Sequence, residues 1–184
     1  LLYLKSKEKT CAFTGHRTDK LYGSDLSNTK YQMLAKLLRK QIITLIEVNN
    51  VDTFISGGAT GFDTISFFTV ESLKNKYSYI NNILAIPFEE QSSTWNNYDK
   101  LRYERMLGKA NEVIYVDKLD LYNKSKNKKY TYAYKYQKRN EFMVDVSSYI
   151  IACFDGSKSG TLNCLNYAKE KKNKIYLINP KSIQ

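Results

Sequence analysis

The sequence predicts an α/β protein, a Rossmann-like three-layer sandwich with a mostly parallel sheet covered by helices on both faces. Two observations carry this. Short apolar runs that stop at turn-forming residues (Gly15, Gly57, Pro87, Asp155) alternate with longer segments whose apolar positions recur every three or four residues. That alternation builds parallel strand pairs, because each crossover helix must bury its apolar stripe against the sheet. The chain also has 184 residues, two prolines, no internal repeat and no Pro-rich linker. A single domain over residues 1–184 is expected.

Thr10–Thr14 is the first strand, with Cys11, Ala12 and Phe13 ahead of the stop at Gly15. Polar residues 16–29 form a loop. From Lys30 to Val48, Leu34, Leu37, Leu38, Ile42, Leu45 and Ile46 make a stripe opposite charged positions, the pattern of an amphipathic helix. Val51–Ser56 is the second strand, ended by Gly57 and Gly58, and helical patterning returns over about 60–76. The third strand, Ile83–Ile86 within residues 82–88, closes at Pro87, and a helix runs from about Trp95 to Lys109. Glu112–Val116 is the fourth strand. A basic, Tyr/Lys-rich loop follows at about 118–137, then a helix around Lys138–Val146. Tyr149–Phe154 is the fifth and most apolar strand, residues 155–160 turn, Thr161–Lys172 is helical, and Lys174–Ile178 is the sixth strand.

Composition excludes several function classes. With 42% hydrophobic residues the chain is not disordered throughout. No apolar run reaches the roughly 18 residues of a membrane-spanning helix. Leu1–Leu4 gives way at once to Lys5, Lys7 and Lys9, well short of the ~7–15-residue apolar core of a signal peptide. A soluble cytoplasmic protein without a membrane partner is expected. Cys11, Cys153 and Cys164 are odd in number and form no CxxC, and His16 is the only histidine, so no disulfide framework, His-based metal site or cofactor is expected. The formal charge is +11, but Lys118–Arg139 supplies +7 of it, eight basic residues against Asp120. The charge belongs to one segment, not to the whole surface.

In an open parallel sheet, ligands bind beyond the carboxyl ends of the strands. Three loops fall on that edge. They are Thr14-Gly15-His16-Arg17, Gly57-Gly58-Ala59-Thr60-Gly61-Phe62-Asp63, and Asp155-Gly156-Ser157-Lys158-Ser159-Gly160-Thr161. Glycines admit a ligand close to the backbone, and helix-start amides attract anions such as phosphate. Arg17 and Arg139 offer planar, bidentate donors for phosphate oxygens, or else surface salt bridges. Asp63 and Asp145 are acceptors for ribose hydroxyls, or else cap a helix or pair with Arg139; Thr60 with Asp63 also fits a capping box. Neither GxGxxG nor GxxxxGK[ST] occurs, which disfavours NAD-dehydrogenase and P-loop ATPase readings. A lone His16 with no Ser or Cys partner at a recognisable spacing reads as a loop hydrogen-bonding residue, and no catalytic residue is expected. The Tyr/Lys-rich segment has the mixture that stacks bases and follows a phosphate backbone, or is a solvated loop produced by composition bias.

Five stretches together resemble the YpsA-like branch of the SLOG superfamily of small bacterial Rossmannoid proteins. They are Cys11–Arg17, Ser56–Asp63, Ala85-Ile86-Pro87-Phe88 with Gln91 and Trp95, Lys138–Asp145, and Asp155-Gly156 with Gly160-Thr161. The resemblance implies a SLOG fold related to DprA and lonely-guy proteins, with a nucleotide-derived ligand held across the strand edge. It adds Pro87 and Asn140 to the candidate ligand-binding residues, while Ser159 of the third loop stands where the family has the first of two glycines. Lonely-guy phosphoribohydrolases are similar at Arg139 and Gly160-Thr161 but carry a glutamate three residues beyond the threonine, where this chain has Cys164. A thiol does not supply that carboxylate's charge. The leading expectation is therefore a non-catalytic binding protein for a nucleotide or an NAD/ADP-ribose-derived molecule, acting as sensor or sequestering protein in the manner of SLOG domains of prokaryotic defence systems. The alternatives are a lonely-guy-type hydrolase and a DprA-like single-stranded nucleic-acid binder. A homodimer is implied by resemblance.

Overall fold

The computed structural model describes residues 2–123 and 131–183. Its six strands form one sheet in the order β4-β3-β2-β1-β5-β6, and every neighbouring pair is parallel. The strands are β1 Thr10–Gly15, β2 Thr53–Ser56, β3 Asn81–Ile86, β4 Glu112–Tyr115, β5 Tyr149–Cys153 and β6 Lys174–Ile178. The longer helices are α1 Thr29–Asn49, α2 Phe62–Leu73, α3 Asn97–Lys109, α5 Tyr132–Asp145 and α6 Gly160–Glu170, with one turn, α4, at Asp120–Asn123.

Strand alternation explains the two covered faces. Cys11 and Phe13 on β1, Phe54 on β2 and Ile151 and Cys153 on β5 pack with α1 and α2, while Leu84 and Ile86 on β3 meet Phe67 of α2 and Tyr103 and Met106 of α3. Their sequence neighbours Ala12, Ile55, Ile83, Ala85, Ile150 and Ala152 pack on the opposite face with α5 and α6. Both faces being buried is why the strands read as near-continuous apolar runs. From β1 the chain steps outward through β2 and β3 to β4, then returns to place β5 on the other side of β1. The direction of winding therefore reverses between β1 and β5, and a doubly wound sheet opens its crevice at the carboxyl ends of those two strands.

Helix α1 follows its predicted stripe, capped by the Asn28 side chain accepting from the Lys30 amide and closed by Asn50 in the left-handed region at φ 55°. Leu37 is the exception in that stripe, since it is about half exposed. The larger difference is α5. It starts at Tyr132 instead of near Lys138, so the predicted loop is helical over its last six residues and short helical turns occupy Val116–Lys118 and Asp120–Asn123. The Thr131 hydroxyl caps it by accepting from the Tyr134 amide. Tyr132 and Tyr136, one turn apart, both pack on Phe88, with ring centroids at 4.8 and 5.5 Å. The apolar anchor that extends this helix lies on a distant part of the chain. Lys124, Lys126, Lys128 and Lys129 of the predicted basic loop lie outside the described residues.

Candidate functional site

A cleft of about 280 Å³ sits at the switch point between β1 and β5. Four elements build it. The β1 end contributes Thr14, Gly15, His16 and Arg17; the start of α2 contributes Ala59 and Asp63; α5 contributes Arg139 and Asn140; and the start of α6 contributes Ser159, Gly160 and Thr161. Further walls come from Phe13, Asp19, Lys20, Tyr136 and Met143. Sequence reading missed these five. Tyr136, Arg139, Asn140 and Met143 stand at i, i+3, i+4 and i+7 on α5, so a helical register carried back through the tyrosines is the signal that finds two of them.

Arg139 dominates the cleft. Its side chain is only 8% exposed and its nearest carboxylate is Asp63, Nη1 to Oδ2 at 3.7 Å. That is an ion pair without a hydrogen bond, and Nη1 has no hydrogen-bond partner. Nε donates to the Asn140 side-chain oxygen at 3.0 Å. That bond fixes the Asn140 amide, whose nitrogen has no partner among the described residues. Burial lowers the Arg139 pKa and raises that of Asp63, each opposed chiefly by the charge of the other. Arg17 is exposed, lies over the Tyr136 ring at 4.9 Å, and forms no salt bridge among the described residues, although its charge acts on Asp63. Arg139 approaches the same ring at 5.9 Å.

The first and third loops meet in this cleft. Ser159 caps α6 by accepting from the Leu162 amide at 3.4 Å. The Gly160 and Thr161 amides, which an α-helix cannot satisfy internally, have no partner among the described residues. A helix start with free amides beside an under-satisfied buried guanidinium is an anion-accepting arrangement.

The second loop is different, because two of its amides are used within the protein. Its Ala59 amide donates to Asp63 Oδ2 at 3.2 Å, and the Phe62 amide donates to the His16 carbonyl at 3.1 Å. Gly61, at φ 82°, is the helix cap without any side-chain cap bond, so the Thr60–Asp63 capping box does not form. Gly57, Gly58, Thr60 and Gly61 do not line the cleft. Gly57 leaves room for Arg139, since a Cβ there would sit 1.3 Å from Nη1. Gly58 lies against Ile86, Tyr103 and Gln91, and its carbonyl accepts from Gln91 Nε2 at 3.2 Å. Pro87 is buried at the end of β3, outside the cleft. The glycines of the loop brace the site, while its Ala59 and Asp63 reach the cleft wall.

His16 is 2% exposed, packs on Phe154, and its Nε2 lies 2.7 Å from Asp155 Oδ1. Asp155 also pairs with Lys181 at 2.9 Å and accepts from the Ser157 amide at 3.0 Å. Bonds from Ser157, then Lys181, hold its carboxyl well below the usual range. The pair locks the first loop to the third, with Asp155 and Gly156 outside the cleft. Asp145, read as a ribose acceptor, instead accepts from Tyr122 at 2.8 Å and Tyr167 at 3.1 Å and pairs with Lys171 at 3.0 Å, a tie between α4, α5 and α6. Cys164 is buried and its thiol is pushed up to about 11, with the Thr14 hydroxyl and Arg139 opposing. Among the described residues no three His, Cys, Asp or Glu side chains gather to hold a metal ion, and no helix is long and apolar enough to cross a membrane.

Fold and cleft together define a doubly wound, Rossmann-like protein with a donor-lined crevice at its switch point. The chain belongs to the YspA SLOG family, whose model (YpsA) matches residues 11–183. It is 45% identical over 146 residues to the SPbeta prophage-derived protein YoqJ of Bacillus subtilis, covering 79% of this chain and 85% of that protein. A UPF0398 protein of Bacillus cereus is 23% identical over 167 residues, covering 91% and 85%. Among solved structures, DNA processing protein A (DprA) of Streptococcus pneumoniae superposes with a TM-score of 0.59 at 18% identity, covering 96% of this chain and 51% of that one. DprA of Helicobacter pylori, described for its single-stranded DNA binding mode, gives 0.56 at 18% identity, covering 96% and 67%. The chain thus spans about half the length of the pneumococcal protein, and the likeness is one of fold.

Proposed function

We propose that the protein binds a nucleotide or an NAD- or ADP-ribose-derived molecule in the switch-point cleft, as a sensor or sequestering protein. The observation that carries this is Arg139, a buried guanidinium on the cleft wall whose Nη1 is unpartnered. A buried charged donor left without a hydrogen bond is costly, and an incoming phosphate oxygen supplies the missing acceptor. The Gly160 and Thr161 amides and Arg17 take further oxygens, and the free Asn140 amide group donates to ribose or base. Hydrolysis of lonely-guy type gains no support at Cys164, because burial pushes its thiol up and leaves it without the charge of a carboxylate.

Titration calorimetry with AMP, NAD, ADP-ribose and cyclic ADP-ribose tests the reading, and no heat from any of them would end it. Arg17→Ala is expected to weaken binding about tenfold, about 1.4 kcal/mol. Its exposure leaves unfolding stability within about 0.5 kcal/mol of the parent. Full affinity in that variant would remove Arg17 from the site.

A second reading, single-stranded nucleic acid, draws on the H. pylori DprA likeness and on the basic segment before Arg139. It predicts oligothymidylate binding whose logarithm falls steeply and linearly with the logarithm of salt concentration. Oligonucleotide affinity indifferent to salt, or absent at low salt, discards it.

A further inference from the structure

A second cavity, about 310 Å³, adjoins the cleft. It opens between the β1–α1 loop, the start of α1 and the C-terminal turn, with Leu21, Tyr22 and Ile183 among its apolar walls. The two spaces have one lining residue in common. Lys20 lines both, its ammonium donating to the Lys158 carbonyl at 3.1 Å. Asp155 belongs to the second cavity and holds His16, of the first, at 2.7 Å while pairing with Lys181 at 2.9 Å. Lys20, Lys30 and Lys181 thus line a cavity with a single carboxylate, Asp155, which Lys181 and His16 already occupy. Lys30 lies 5.9 Å over the Tyr22 ring and has no carboxylate partner among the described residues. Three ammonium groups against one carboxylate, with Lys30 unpaired beside an aromatic face, make a site for an anion joined to a flat or apolar group.

We infer that this cavity is a second subsite of the same ligand, so that the natural ligand carries a second phosphate beyond the one at Arg139. The inference rests on the nucleotide reading of the cleft. Lys20, shared by both spaces, marks the path between the phosphates, and Lys30 and Lys181 receive the far one. Pyrophosphate-linked and phosphodiester-linked dinucleotides share this chemistry.

The test compares AMP, ADP-ribose and the 5′-phosphorylated dinucleotide pApA by calorimetry, on the full chain and on the double variant Lys30→Gln/Lys181→Gln. Both substituted lysines are exposed and lie outside the cleft. Expected is tighter binding of ADP-ribose or pApA than of AMP. The double variant loses about tenfold for the tighter ligand, with its salt slope shallower by about 1, while AMP stays within about twofold. Retained AMP binding reports an intact fold. Whichever two-phosphate probe responds identifies the linkage. AMP bound as tightly as both longer probes, or all three weakened equally by the variant, overturns the subsite and leaves the cleft reading standing. No binding of any probe to the parent chain removes both.

Discussion

Arg139→Met is expected to abolish nucleotide binding and to lower the unfolding free energy by about 3–5 kcal/mol, the range for stripping one partner from a buried ion pair. The two losses have different origins. Binding disappears because the under-satisfied donor in the cleft is gone. Stability falls because Asp63, 5% exposed, keeps the Ala59 amide but loses its counter-charge. Adding Asp63→Asn should therefore recover most of the stability and none of the binding. The dependence on pH has a definite sign. Burial raises the Asp63 pKa, and Arg139 is the largest opposing influence. A carboxyl whose folded pKa lies above its unfolded value stabilises the fold at low pH and loses that contribution as pH rises through the folded pKa. Without Arg139 the folded pKa rises further. The deficit of Arg139→Met is thus widest near pH 7 and narrows towards pH 5 and below, as read from urea midpoints. A deficit that stays constant with pH, or no rescue by Asp63→Asn, would show that the pair is not coupled.

The same residues show what a sequence reveals about such a site and what it withholds. The parallel sheet was legible because buried strands and amphipathic helices have different apolar periods, and chain order places every strand-end loop on one edge. Which loops meet there depends on strand order. The β1 and β5 ends are adjacent only because the winding reverses, so Thr14–Arg17 and Ser159–Thr161 face one cleft although some 140 residues separate them. The glycines of the loop after β2, read as ligand contacts, lie behind the cleft wall that Ala59 and Asp63 form. The loop's Ala59 and Phe62 amides are taken by Asp63 and by the His16 carbonyl, partners that no spacing rule names. The start of α5 was hidden for a related reason. Tyrosine at every second position from Tyr130 to Tyr136, in a lysine-rich segment, imitates a solvated loop, and the stripe that makes residues 132–136 helical needs Phe88 from the end of β3 to complete it.

Gly57→Ala separates the two reasons a glycine can have beside a ligand site. Gly57 is not among the positive-φ glycines, so alanine meets no backbone strain there. The obstacle is space, because the new Cβ would lie 1.3 Å from Arg139 Nη1, 2.2 Å from its Cζ and 2.7 Å from Asp63 Oδ2. One added methyl must expel the guanidinium from its seat. The expected result is a loss of about 1–3 kcal/mol in stability from overpacking. Nucleotide affinity should fall about a hundredfold or more, about 2.7 kcal/mol, although Gly57 itself does not line the cleft. Gly160→Ala is the counterpart. A Cβ at Gly160 meets nothing within 4 Å, and the residue opens α6 without a positive φ, so stability should hold or rise by up to about 1 kcal/mol. Any affinity lost there reports the ligand's own approach to the helix start. Calorimetry and urea unfolding on the two variants read both quantities. If Gly57→Ala binds as the parent does, the Arg139 guanidinium does not have to occupy its present seat for the ligand to be held. If Gly160→Ala also binds unimpaired, the anion does not rest on the α6 amides.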